Sequence, residues 1–157
     1  TYRAWVSNLD RQQQPNFIPF NPFSGFETVG AIEFVNFMLL QSDPSGFLGL
    51  FGAWPQSMDA SFERLRGRGA FIVSSSFAKG VVGPTTIVSE RGVDCVLRRP
   101  ESWPKSGVYV TSAGKKVSTS WQGGDFFSFK TTPGGVYKLS IDKPRAGIPD
   151  ARTGLKG

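Results

Sequence analysis

The 157-residue sequence contains no histidine and a single cysteine. Without histidine, this chain cannot carry out imidazole acid–base catalysis, bind a metal through imidazole, or assemble a Ser-His-Asp or Cys-His catalytic group. One cysteine, Cys95, can form neither an internal disulfide nor a thiolate cluster. Carboxylates, lysines, tyrosines and one thiol are left for chemistry, and we predict neither a metal site nor a cofactor.

Long apolar runs are also missing. The most apolar segment, residues 34–40, is interrupted by Asn36 and is far shorter than the ~20 residues that a bilayer-spanning helix needs. We therefore expect no membrane insertion. The length fits one domain, or one domain and a piece of another. The sequence has no initiator methionine and no charged and then apolar leader, so we expect Thr1 to begin a processed chain or a fragment.

The charge is distributed unevenly along the chain. Residues 1–64 carry three basic side chains against six acidic ones, whereas residues 65–157 carry 15 against six. Arg64, Arg66 and Arg68 alternate in the basic part, which could indicate a nucleic-acid-binding strand. No aromatic stacking platform is interleaved with them. We therefore favour a basic strand face that docks on the acidic helical part or faces solvent, and we expect no nucleic-acid partner.

Residues 27–42 have the pattern of a helix whose narrow polar stripe consists of Glu33 and Asn36. Such a helix is buried on nearly all sides. The following residues 43–46, with a proline and a glycine, predict its end after Ser42. Apart from a possible short helix in residues 1–14, the chain offers no second helical segment to cover it. We infer that the helix lacks its companions or packs on another chain.

From residue 47 onward, apolar residues recur with a period of two. The runs 71–77, 93–98 and 137–141 each have the pattern of a half-buried strand. Turn sequences separate the alternating runs at intervals of roughly 10 residues, which is typical of an antiparallel sandwich. The sequence therefore predicts a mainly β fold, an antiparallel β-sandwich-like domain preceded by the buried helix.

The single thiol is not a candidate nucleophile. Cys95 is in register with Val93 and Leu97, on the side of its strand that should face the core. Nothing nearby in sequence would activate it apart from Arg98 and Arg99. We therefore predict a buried, inert cysteine.

Two tryptophans and one glutamate are candidate site residues. Trp103 and Trp121 could offer flat rings to the C–H face of a sugar, although the Trp103-Pro104 dipeptide also fits a loop pinned onto a core. Glu27, at the start of the helix, could interact with the helix dipole, a contribution of about 0.3–1 kcal/mol. Alternatively, it is a catalytic carboxylate, but glycoside hydrolysis normally needs a second carboxyl group that the sequence does not identify.

Five segments, in this order, resemble the C-terminal portion of glycoside hydrolases of family 95, mostly α-L-fucosidases and related α-L-galactosidases. The resemblance extends from about residue 25 to residue 139. The segments are 38–42 (MLLQS), 46–55 (GFLGLFGAWP), 59–71 (DASFERLRGRGAF), 87–92 (IVSERG) and 129–137 (FKTTPGGVY).

The resemblance implies a domain organisation. Residues 1–44 would be the loop and the last helix of an (α/α)6 catalytic barrel, residues 45–142 a C-terminal β-domain, and residues 143–157 a surface tail. The β-domain would pack on and stabilise a barrel carried by another polypeptide. It further implies carbohydrate as a ligand and an extracellular or periplasmic location.

The resemblance also bears on catalysis. Typical members carry an Asp-Gly-Asn-Phe-Gly stretch just before this helix, where Glu27 is the only carboxylate of the present sequence. Glu27 is thus the implied substitute. Because the proton-donating glutamate and the water-holding asparagines of the family lie upstream of the matching residues, we expect no activity from this chain alone.

Two other functions remain open. A free-standing, secreted carbohydrate-binding module would use Trp103, Trp121 and the turn at residues 123–125. A structural subunit of an oligomer, such as a homo-oligomer, would use the Phe-rich residues 17–26 and the basic face around Arg66 as complementary patches.

Overall fold

The computed structural model describes residues 33–42, 44 and 46–141. Its helical part, α1, covers residues 33–39. The strands that follow in the described residues are β1 (Leu40–Ser42), β2 (Phe47–Leu50), β3 (Ala60–Gly67), β4 (Phe71–Ala78), β5 (Val81–Val82), β6 (Thr85–Ser89), β7 (Cys95–Arg98), β8 (Tyr109–Ser112), β9 (Lys115–Lys116), β10 (Thr119–Trp121), β11 (Phe126–Phe129) and β12 (Gly135–Ser140).

The strands form two sheets. The first has the order β1-β2-β7-β11-β10, and the second has the order β3-β4-β6-β12-β8-β9 with β5 also paired to β4. Among the described strands, the pairings are antiparallel except for β2 with β7, which is parallel. A parallel pair needs a long crossover, and here the crossover is formed by strands β3 to β6 of the other sheet. The prediction of a mainly β, antiparallel-rich sandwich is confirmed.

One apolar core lies between the sheets. The Phe129 ring of the first sheet lies 5.3 Å from the Tyr137 ring of the second, measured between centroids. Burying each large apolar side chain contributes about 1.5–3 kcal/mol, so this layer holds the two sheets together. Side chains at most 1% exposed come from both sheets and include Leu48, Val73, Ile87, Leu97, Phe127 and Leu139.

The predicted alternation is largely accurate for β4 and less so for β7. Phe71, Val73 and Phe77 are buried as expected, but Ile72, which the alternation places on the opposite face, is also buried. Val93, which was predicted to share the core face with Cys95, is instead 43% exposed and precedes the strand. Its carbonyl instead accepts a hydrogen bond from the Thr131 hydroxyl at 2.5 Å.

The predicted end of the helix at Ser42 is wrong. The helix ends at Leu39, and residues 40–42 form β1, in which Leu40 pairs with Leu50. Leu40 is only 7% exposed, so pairing with β2 also places it in the core. Tertiary pairing here overrides local helix propensity.

The described part of α1 is buried on one side and exposed on the other. Met38 is 2% exposed, whereas Phe34 and Phe37 are 44% and 51% exposed. The predictions for residues 27–32 of the helix and for the tail 143–157 lie outside the described residues. No described helix is both long and apolar enough to span a bilayer.

Candidate inter-domain interface and polar cleft

The two predicted sugar-binding tryptophans lie in different environments. Trp103 is 1% exposed, and its indole N–H donates to the Val82 carbonyl at 2.7 Å. Its ring therefore presents no face to a sugar, and the pinned-loop interpretation describes it. Trp121, the last residue of β10, is 42% exposed, with its ring centroid 5.3 Å from that of Phe127. The two rings do not form one platform.

Of Glu27 and Cys95, the structure describes only the cysteine. Glu27 lies outside the described residues, so its role stays a prediction. Cys95 is fully buried, and burial raises the pKa of its thiol to about 12. A thiol with such a pKa carries almost no thiolate near neutral pH, so Cys95 acts as a core residue.

A shallow groove of about 640 Å³ runs between α1 and the end of β3. The exposed rings of Phe34 and Phe37 form its apolar side. Arg66 and Arg68 form its basic side, and Glu33 also lines it. The groove is thus an aromatic surface with a basic rim, a composition found at the centre and edge of protein interfaces. We call it the α1/β3 groove.

A β-bulge in β3 positions the arginines of this groove. The register with β4 shifts between Phe62 and Leu65. Arg64 at the bulge has φ +58, and its backbone N–H donates to the Ser74 hydroxyl at 3.0 Å. The extra residue changes which side chains face inward. Leu65 therefore packs against the core, and Arg66 points outward.

Arg66 is held by a carboxylate of the neighbouring β6–β7 connection. Its two terminal nitrogens donate to the Glu90 oxygens at 2.7 and 3.2 Å. This hydrogen bonding lowers the pKa of Glu90, with smaller contributions from the charges of Arg66, Arg91 and Arg64. Glu90 thus lies among several cations, and the rim keeps an excess of positive charge. Glu33 of α1 lines the same groove, but Arg66 pairs with Glu90 and is exposed, so docking of the basic face on the acidic helical part stays a prediction.

A second depression, of about 350 Å³, lies where β2 ends, beside the β4–β5 hairpin and the loop that follows β7. We call it the polar cleft. The buried rings of Phe51 and Phe77 contribute to its wall. Its polar lining comes from several parts of the chain: Gln41, Gln56, the stretch with Arg98, Arg99, Glu101 and Ser102, and Asp125.

Arg99 anchors one wall of the polar cleft. It is only 9% exposed and donates to the Asp125 carboxylate at 2.6 Å. Its other terminal nitrogen donates to the carbonyls of Pro100, at 3.1 Å, and Trp103. The hydrogen bond from Arg99 lowers the pKa of Asp125. Asp125 is therefore ionised and unsuited to act as a general acid, which needs a raised pKa.

Residues 41–139 match the sequence model of the glycoside hydrolase family 95, C-terminal domain. The chain belongs to this family. A search of curated proteins found no match. The matched range begins within β1 and ends within β12, so both sheets of the family-95 C-terminal domain are included.

Sequence reasoning missed most of the polar cleft of this family-95 C-terminal domain. Two adjacent arginines near a turn are usually solvated, which is the case for exposed Arg98 but not for buried Arg99. Its partner Asp125 lies 26 residues away, so no local pattern could pair them. Within the described residues, no cluster of three or more acidic, histidine or cysteine side chains could hold a metal ion.

Proposed function

We propose that this chain is the non-catalytic C-terminal β-domain segment of a family-95 glycoside hydrolase and that its α1/β3 groove packs on the catalytic (α/α)6 barrel. The supporting observation is Phe37, which is 51% exposed at the end of α1 and lines the groove. Burying such an exposed phenylalanine ring in a packed interface would contribute favourable free energy to binding. Residues 1–39, which precede β1, would then complete the barrel.

The charges around the groove indicate the kind of surface that fits it. Arg66 and Arg68 line the groove, and only Arg66 is in an ion pair within the described part of the chain. An acidic rim on the barrel would complement them and orient the docking. The β-domain would stabilise the barrel by covering its apolar surface. Secretion of the assembled enzyme stays a prediction.

Co-expression with the barrel domain of a family-95 enzyme that lacks its own C-terminal domain tests this role. We expect size-exclusion chromatography with light scattering to show a one-to-one complex. Phe37→Ser should abolish the complex, whereas the control Trp121→Ser, which removes another exposed aromatic ring, should not. A chain that forms no complex, stays a monomer and binds no hydrophobic dye would contradict the proposal, as would a homodimer formed through the same groove.

A second candidate function is surface recognition of carbohydrate by Trp121. Its 42% exposure on β10, an outer strand of the first sheet, favours this role. Binding to a glycan array that Trp121→Ala abolishes would support it. Failure of every glycan to bind would contradict it.

A further inference from the structure

We propose that the polar cleft is a non-catalytic binding site for a neutral sugar unit, of the size of a mono- or disaccharide. This site is separate from the α1/β3 groove and does not depend on docking to a barrel. Its volume of about 350 Å³ lies near the lower end of the ~300–1,000 Å³ typical of small-molecule sites. A small ligand is therefore the class that fits.

Four polar side chains of the cleft are available to a ligand. Gln41, Gln56, Arg98 and Glu101 line it, and their side chains form no hydrogen bond or ion pair within the described part of the chain. They come from β1, the β2–β3 loop, the end of β7 and the loop that follows it. Four separate elements thus bring solvent-accessible polar groups to one depression.

The backbone around the cleft is adapted to the Gln41 amide. A Cβ atom at Gly52 would lie 2.7 Å from Gln41 Oε1, and one at Gly49 would lie 3.1 Å from it. Only glycine at position 52 leaves the amide where it is. Between these glycines, Phe51 adopts φ +53, a left-handed conformation that costs a residue with a side chain about 1–2 kcal/mol. Strain of this kind concentrates at binding sites.

The chemistry of the lining selects the ligand class. A guanidinium only donates hydrogen bonds, a carboxylate only accepts them, and an amide does both. Vicinal hydroxyl groups, which also donate and accept, can satisfy all three. The two arginines of the lining, Arg98 and Arg99, are balanced by Glu101 and Asp125, so no net charge favours a phosphate or an ammonium group. Because Asp125 is held ionised by Arg99, the cleft lacks an acid there to protonate a leaving group, which supports binding without hydrolysis.

Two-dimensional amide NMR of the chain, titrated with D-galactose, L-fucose, D-glucose and lactose, tests this proposal. We expect at least one of these sugars to shift the backbone amides of Gly49 and Gly52 saturably, with a dissociation constant of about 1–10 mM. Absence of saturable shifts with all four sugars, to about 100 mM, would overturn it.

Two variants locate the binding. Arg98→Ala removes an exposed donor of the cleft, and Gly52→Ala displaces the Gln41 amide; each should weaken binding about tenfold. Arg91→Ala, which removes an exposed arginine outside the lining, should leave the affinity unchanged. Unchanged affinity in Arg98→Ala would overturn the proposal even if Gly52→Ala failed to fold. Loss of binding in Trp121→Ala would also overturn it, because the sugar would then lie on the outer strand.

Discussion

Two buried polar side chains fix the loop between β7 and β8. Trp103 donates its indole hydrogen to the Val82 carbonyl of β5, and Arg99 donates to the Asp125 carboxylate just before β11. One loop is thereby tied to both sheets. Buried polar groups act in this way because leaving either partner unsatisfied costs more than the bond itself contributes.

The indole hydrogen bond can be tested by Trp103→Phe. The ring is largely kept, but the Val82 carbonyl loses its donor, so we expect a loss of about 1–3 kcal/mol in the free energy of unfolding. Urea denaturation followed by circular dichroism measures it. The matched variant Trp121→Phe, at an exposed ring, should change the free energy by less than about 0.5 kcal/mol. Equal effects of the two substitutions would contradict the assigned bond.

The Arg99–Asp125 pair predicts a pH dependence. The pKa of Asp125 is lowered in the folded chain, so its contribution to stability is fully present above the ordinary carboxyl pKa of about 3.9. It is lost as pH falls through the lower folded-state pKa. Asp125→Asn should therefore be less stable than the parent chain at pH 7, and the difference should shrink below about pH 4.

Urea midpoints at several pH values measure this difference. Glu63→Gln is the control, because this exposed carboxylate is in no ion pair within the described residues. Its effect should be small throughout. A gap between the parent chain and Asp125→Asn that stays constant down to pH 2 would show that the charge of Asp125 is not involved.

Among the elements, β3 combines a long strand with an edge position in the second sheet. Its bulge and its charged side chains Glu63, Arg64 and Arg66 oppose pairing with another chain. The opposite edge strand, β9, is Lys115–Lys116. Both edges of this sheet are therefore protected by charge, although the two strands differ in length and shape.

The bulge in β3 predicts how glycine substitutions at positions 63 and 64 affect stability. Arg64 has φ +58, where a side chain costs about 1–2 kcal/mol, and glycine costs roughly 0.5–1 kcal/mol in chain entropy. Arg64→Gly should therefore leave stability unchanged or raise it by up to about 1 kcal/mol. Glu63→Gly, at the adjacent position without a positive φ, should lower it by about 0.5–1 kcal/mol. Thermal and urea unfolding of both variants compare them, and equal losses would contradict the bulge.

How much the sequence predicts depends on the range of the interactions involved. Period-two alternation identified β4 and β12 because a half-buried strand needs only its own residues to show the pattern. The position at which α1 ends was predicted wrongly because Leu40 pairs with Leu50 of β2, a contact that local sequence does not show. The polar cleft was missed because Gln41, Arg98 and Asp125 meet only after the sheets have formed.

At the scale of the whole molecule, the described residues of the family-95 C-terminal domain form an apolar core between the sheets and an exposed aromatic surface at α1. The sandwich buries its own large side chains between the sheets. In contrast, α1 presents Phe34 and Phe37 beside the basic rim. A helix that is this apolar was predicted to need helical companions, and its exposed side is where the proposed barrel would supply them.

Substitutions measured at different salt concentrations should separate the apolar contribution of this docking surface from its electrostatic contribution. We expect Phe37→Ser to lower the free energy of unfolding of the chain by no more than about 1.5 kcal/mol, half of what a fully buried ring contributes, because the ring is half exposed. The same change should greatly weaken barrel binding at every salt concentration, since burial of the ring is only weakly screened. Arg68→Ala should instead weaken binding mainly at low salt, because exposed charges interact over a Debye length of about 10 Å at 0.1 M. Calorimetric titration with the barrel domain at low and high salt measures both, and identical salt dependence in the two variants would refute this division of roles.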